Sequence, residues 1–482
     1  MMRPTAIKPM IPALALPLIG LAMPVLAQDA EAPAATVEAV VEAVAPIVDK
    51  GDTTWMMISA ILVMAMSIPG LALFYGGLVR ARNMLSVLMQ VFTIFCIMSI
   101  LWVCFGYSLA FTGAGSAEEA TWLTPFIGGF SKAFLAGVDS SSLAETFTTN
   151  VYVPEYVFII FQMAFACIAP ALIVGATVER MKFAAVLAFV VIWFFFSYLP
   201  MAHMVWWWGG PSAFDAPGGF LFGHGDLDFA GGTVIHINAG VAGLVAALVV
   251  GPRLGYGKEL MAPHNLPFTF LGGCLLWIGW FGFNAGSNME ATGTAAMAIL
   301  NTTVATAAAA LAWAFGEWLF RGHPSLLGGV SGAIAGLVGI TPAAGFVGPM
   351  GAIVIGLAAG FLCMWVVVSL KAKLGVDESL DVFGIHGIGG IVGAILTGVF
   401  AAPSLGGSGL YDYATESVVA GYDIAGQVMT QTLGVIVAVT WSAVVSFIAL
   451  MIVKAVIGLR ISGNDERQGL DVTTHGESAY NN

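Results

Sequence analysis

Two histidines, His236 and His386, each lie within a long apolar stretch. An ionisable side chain at membrane depth is costly, so such a residue is read first as functional. Imidazole both donates and accepts a hydrogen bond, and two rings brought together can share one proton. Glycines at 231, 232, 240, 387, 389 and 390 flank the pair and would let the two segments approach closely. The residues alone leave a second reading equally open, two core histidines satisfied separately. Asp228 precedes His236, and Asp381 precedes His386. Each Asp can cap the first turn of a helix that follows it. A helix running from Asp228 would place His236 about 12 Å further along, at about 1.5 Å per residue.

Aromatic residues are dense around the expected outer half. Phe161 and Phe165 are one helical turn apart and share a face. Trp206, Trp207 and Trp208 follow in the next apolar segment. Interfacial Trp commonly anchors a helix in the membrane. Ring faces can also replace the water around a small cation. Asn284 and Ser287 can serve a polar pathway or join helices. The sequence carries no phosphate loop, zinc-ligand spacing or nucleophile elbow, so ordinary catalysis and a resident metal or cofactor find no support. The five cysteines all fall in apolar segments and are expected to be buried thiols.

These side chains need a membrane scaffold to hold them. Of the 482 residues, 59% are hydrophobic and 9% charged. A soluble domain carries about 25% charged residues. Apolar runs of bilayer length recur along the chain, which places it in the membrane class. Eleven spans are expected, near residues 54–79, 84–112, 154–178, 183–204, 228–250, 266–288, 292–319, 325–341, 346–370, 382–401 and 424–456. With the mature N-terminus outside, the inner segments hold Arg80, Arg82, Arg180, Lys182, Arg253, Lys258, Arg321, Lys371, Lys373, Lys454, Arg460 and Arg467. The outer segments hold only Lys50 and Lys132, a strong positive-inside bias.

Residues 1–27 read as a signal peptide, with Arg3 and Lys8 before an apolar run and Val25-Leu26-Ala27 as a cleavage site. An uncleaved first helix is the alternative. Residues 28–53 are expected to form a loosely ordered acidic tail outside the membrane. Residues 54–456 form the membrane domain and 457–482 a cytoplasmic tail. A weak repeat relates Gly70–Gly77 to Gly279–Gly286 and the Asp228/His236 pair to Asp381/His386. The expected fold class is therefore an all-α integral membrane protein. Its eleven transmembrane helices form a five-plus-five inverted repeat with an extra C-terminal helix.

Several long motifs carry a resemblance. They are FACIAPALIVGATVERMKF at 165–183, AHMVW at 202–206, DFAGGTVIHINAG at 228–240, PHNLPFTFLGG at 263–273 and WIGWFGFNAGS at 277–287. GEWLFRGHPSLLGGVSGAIAGLVGITPA at 316–343, DVFGIHGIGGIVGAILTGVFA at 381–401 and GLDVTTHGESAY at 469–480 complete them. In this order they resemble the ammonium transporter family (Amt/Mep/Rh), bacterial branch, from about Thr53 to Tyr480. The resemblance implies a homotrimer in the bacterial inner membrane with one narrow apolar pore per subunit for ammonium or ammonia. It implies an outer recruitment site at Phe165, Trp206 and Ser287, with Phe161 nearby. A stacked gate falls on Phe165 and Phe283, paired pore histidines on His236 and His386, and the outer acid on Asp228. The run of three Trp leaves open whether Trp206 or a neighbour recruits. The tail from Gly458 to Tyr480 implies contact with a PII-type signal protein, or else a solvated tail serving trimer packing. Two other classes compete: a membrane ammonium sensor acting through that tail, and a haem or quinone oxidoreductase.

Overall fold

The computed structural model describes residues 46–480. The expected signal peptide and the first part of the acidic tail lie outside the described residues. Inside hydrocarbon a backbone must satisfy its own N–H and C=O groups, and long apolar runs do so as helices. Among the described residues, ten helices are long and apolar enough to cross a membrane. In chain order they are α1 (Lys50–Leu78), α2 (Ala81–Phe111), α3 (Glu155–Thr177), α4 (Phe183–Trp206), α5 (Gly232–Val250), α6 (Leu266–Gly286) and α7 (Gly293–Arg321). After the shorter α8 come α9 (Pro349–Leu370), α10 (Phe383–Phe400) and α11 (Ile424–Val456). Helix α8 (Leu326–Ile340) has 15 residues, so ten of the eleven expected spans reach bilayer length.

Helix α5 departs from expectation. It begins at Gly232, not at Asp228. Gly231 has φ 109°, a left-handed conformation that glycine adopts without steric cost and that ends any helix attempted through it. His236 is thus four residues into its helix, about 6 Å of rise rather than 12. Both histidines lie on wide π-helical turns, Gly232–Ile237 and Phe383–Gly387. Such turns recur at functional sites because they re-aim side chains within a helix. The two helices cross where neither has a side chain to separate them: a Cβ on Gly240 would come 2.4 Å from the Gly387 nitrogen.

The N-terminal tail is ordered sooner than expected. Strand β1 (Ile47–Val48) pairs parallel with β3 (Val151–Pro154), which also pairs antiparallel with β2 (Leu143–Glu145). Asp49 caps α1 by accepting from the Asp52 N–H at 2.8 Å. The C-terminal tail is not a solvated arm. Asp471 accepts from Ser86 N–H at 2.8 Å, Asn83 accepts from Leu470 N–H at 2.9 Å, and Arg460 pairs with Glu466 at 2.8 Å. Leu470 and Asp471 are buried, bonded to the first turns of α2.

The cysteines also need correction. Cys167 and Cys363 are buried, Cys104 and Cys274 half-buried, and Cys96 exposed. An apolar span has one face toward lipid, and a thiol is apolar enough to sit there.

Candidate transport site

Helices α5 and α10 bring the imidazoles together. Nδ1 of His386 lies 3.2 Å from Nδ1 of His236, and the ring centroids are 5.2 Å apart at 24°. One Nδ1 must donate and the other accept, so the pair shares one proton and its tautomers are linked. Nε2 of His236 is buried and has no hydrogen-bond partner among the described residues. The rings border a cavity of about 10 Å³, at the lower limit for one water. Its other walls are apolar, among them Phe74, Ile168, Leu172 and Leu276.

A line of aromatic rings runs outward from the pair. Trp280 lies against His236, centroids 5.3 Å apart at 23°, and its Nε1 donates to Thr341 Oγ1 at 2.9 Å. Phe283, about one turn along α6, is 5.9 Å from His236. Phe165 of α3 stacks on Phe283 at 4.3 Å and 17°. Both rings are buried, as is Phe161, 4.8 Å from Phe165. Trp206 ends α4 and meets Phe165 edge-on, 6.0 Å away at 84°. Trp207 instead stacks on His203, and Trp208 packs on Tyr413. Of the three Trp, only Trp206 joins the Phe165 cluster.

The polar groups are placed by backbone contacts. Trp206 Nε1 donates to the Asp228 carbonyl at 3.0 Å. Ser287, at the end of α6, donates to the Phe283 carbonyl at 2.8 Å. Asp228 is buried, and its two carboxylate oxygens accept from the N–H groups of Gly231, Gly232, Thr233 and Val234 at 2.6–3.1 Å. Burial pushes this carboxyl upward while those four donors pull it back. Asn284 donates to Thr302 of α7 at 2.9 Å, so it joins helices.

The cap expected of Asp381 is supplied by another residue. Asp381 has φ 60° and its side chain pairs with Lys371. Glu378 accepts the Phe383 N–H at the start of α10 instead. A signal was present: Glu378 precedes His386 by eight residues, as Asp228 precedes His236. Trp280 joins the site unexpectedly, and its signal is its place three residues before Phe283 on the same helix.

A helical membrane scaffold holding a narrow, mostly apolar cavity, with an imidazole pair inside and stacked rings beyond, defines a membrane transport protein for a small solute. The model of the Ammonium Transporter Family matches residues 54–480, and the chain belongs to that family. The "Ammonium transporter" of Aquifex aeolicus is 45% identical over 433 residues, 90% of this chain and 94% of the relative. The solved structure titled "Sensor Amt Protein" has a TM-score of 0.77 at 28% identity, covering 88% of this chain and 98% of that one. Saccharomyces cerevisiae Mep2 gives 0.72 at 33% identity, covering 86% and 88%.

Proposed function

We propose that this protein conducts ammonium across a bacterial inner membrane, taking up the cation outside and passing it inward as ammonia. The observation that carries the reading is the imidazole pair in a narrow cavity directly beyond two stacked phenylalanines. Trp206, Phe165 and Ser287, with Phe161 beside them, form the outer site. Ring faces there attract the cation, and Ser287 offers a hydroxyl oxygen. Phe165 and Phe283 close the way to hydrated ions. A bare charge pays heavily to enter an apolar cavity, whereas a neutral amine avoids that cost. Ammonium gives up a proton and proceeds as ammonia, and the imidazoles exchange hydrogen bonds with it. Asp228 holds the turn that carries His236.

The protein works as a homotrimer with its N-terminus in the periplasm and its C-terminus in the cytoplasm. The distribution of basic residues supports that orientation. The docked tail offers an inner surface to a PII-type signal protein. Cells lacking ammonium uptake of their own should accumulate labelled methylammonium when they carry this protein, and excess ammonium should compete. No accumulation despite confirmed membrane expression would remove the reading.

Trp206→Leu tests the outer site. A desolvated cation–π contact contributes about 2 kcal/mol, so the half-saturating concentration should rise by roughly thirtyfold. Uptake measured against methylammonium concentration reads this directly. An unchanged curve would leave Trp206 as a membrane anchor.

A further inference from the structure

Asp228 and Glu378 each stand eight residues before a cavity histidine. Each satisfies backbone N–H groups at the head of the wide turn carrying that histidine. Glu378 accepts from Phe383, with Gly384 also bonded. The first N–H groups of any helix lack partners within it, so one buried beneath a pore needs an acceptor supplied from elsewhere. Glu378 is itself 3% exposed. A Cβ on Gly243 of α5 would lie 3.5 Å from its Oε1, so the carboxyl packs against α5 as well as α10. Gly243 is about two turns beyond His236, and His386 about one turn beyond Phe383. The carboxyl therefore lies on the inner side of the pair and touches both helices that carry it.

We propose that Glu378 is a positioning residue for transport, holding the turn that aims His386 at His236 from the inner side, as Asp228 holds the His236 turn from outside. The inference rests on conduction past the imidazole pair.

The charged and titratable groups facing Glu378 are Asp381 before α10, Lys371 after α9 and Tyr75 of α1. Lys371 pairs with Asp381 and donates to the Glu378 carbonyl at 3.1 Å. Burial pushes the Glu378 carboxyl up to about 8 against the pull of the Phe383 N–H, with Asp381 raising it and Lys371 lowering it. The group is thus neutral at pH 6.5 and ionised at pH 9. Its folded value lies above its unfolded one, so its stabilising contribution is full below the ordinary Glu range. That contribution is lost as pH rises through about 8. Gln at this position stays neutral throughout.

The test uses the intact protein in proteoliposomes at equal internal and external pH, 6.5 and 9. The ratio of Glu378→Gln to parental methylammonium uptake cancels the ionisation of the substrate. That ratio should shift by roughly twofold or more between the two pH values. Glu378→Ala should lose uptake by roughly tenfold or more while eluting like the parent. The parent should also melt at a lower temperature at pH 9 than at 6.5, more so than Glu378→Gln. A ratio independent of pH, or Glu378→Ala transporting like the parent, overturns the proposal. A parent that takes up nothing sinks the conduction reading. The melting comparison then still decides on Glu378, because parallel shifts for parent and Glu378→Gln overturn it.

Discussion

Replacing His386 by Asp is expected to let potassium through. Potassium and ammonium are similar in size and charge, so a hole of fixed diameter separates them poorly. On the mechanism proposed above, the separation comes from chemistry: ammonium would shed a proton before the dry segment, and potassium has none to shed. The desolvation penalty for a bare ion in a protein interior is several kcal/mol. His386 borders the cavity and touches its partner at 3.2 Å, with no fixed charge in between. A carboxylate there would attract a cation strongly at low dielectric. Recovering about 2–3 kcal/mol of the penalty corresponds to a rise in potassium flux of roughly 30- to 150-fold. The measurement is potassium uptake by liposomes carrying the purified variant, beside the parent. A variant that conducts ammonium and excludes potassium as the parent does would show that the pair is not the discriminating element.

The second large effect is structural. Asp228→Ala strands four backbone N–H groups at the head of α5. A buried unsatisfied donor costs about 1–3 kcal/mol, so stranding all four costs about 4–12 kcal/mol, comparable to the about 5–15 kcal/mol by which a folded domain is stable. The variant should therefore accumulate poorly, or melt far below the parent and fail in uptake. Asp228→Asn keeps one acceptor oxygen and should fall between the two. Melting followed by tryptophan fluorescence, with uptake on the same preparation, reads both. An Ala variant that melts and transports like the parent would mean that water or a shifted backbone replaces the carboxylate.

Much of this site was legible in the chain because its signals are local. His236 and His386 are conspicuous as ionisable residues in apolar runs, and Phe161 with Phe165 follows from helical spacing. The Phe165–Phe283 stack joins α3 to α6, and spacing within either helix says nothing about the other; only the family resemblance suggested it. The start of α5 was misplaced because apolarity marks where a span can run, while Gly231 decides where the helix begins. Asp381 is the expected cap because it adjoins the apolar run. A longer side chain three residues earlier reaches the same N–H, and adjacency conceals that reach. The cysteines are expected in the core because hydropathy does not distinguish a face toward protein from a face toward lipid. The docking of the tail through Asp471, Leu470 and Arg460 depends on the start of α2 and the end of α5, hundreds of residues away, which local pattern cannot register.

The most direct measurement is flux through the purified protein alone. Proteoliposomes with equal potassium on both sides would be given an inward ammonium gradient, beside protein-free liposomes of the same lipid. The account predicts saturable, ammonium-dependent uptake or current that persists unchanged under a large excess of potassium. Flux no greater than in protein-free liposomes, from protein shown to be folded and inserted, would contradict it.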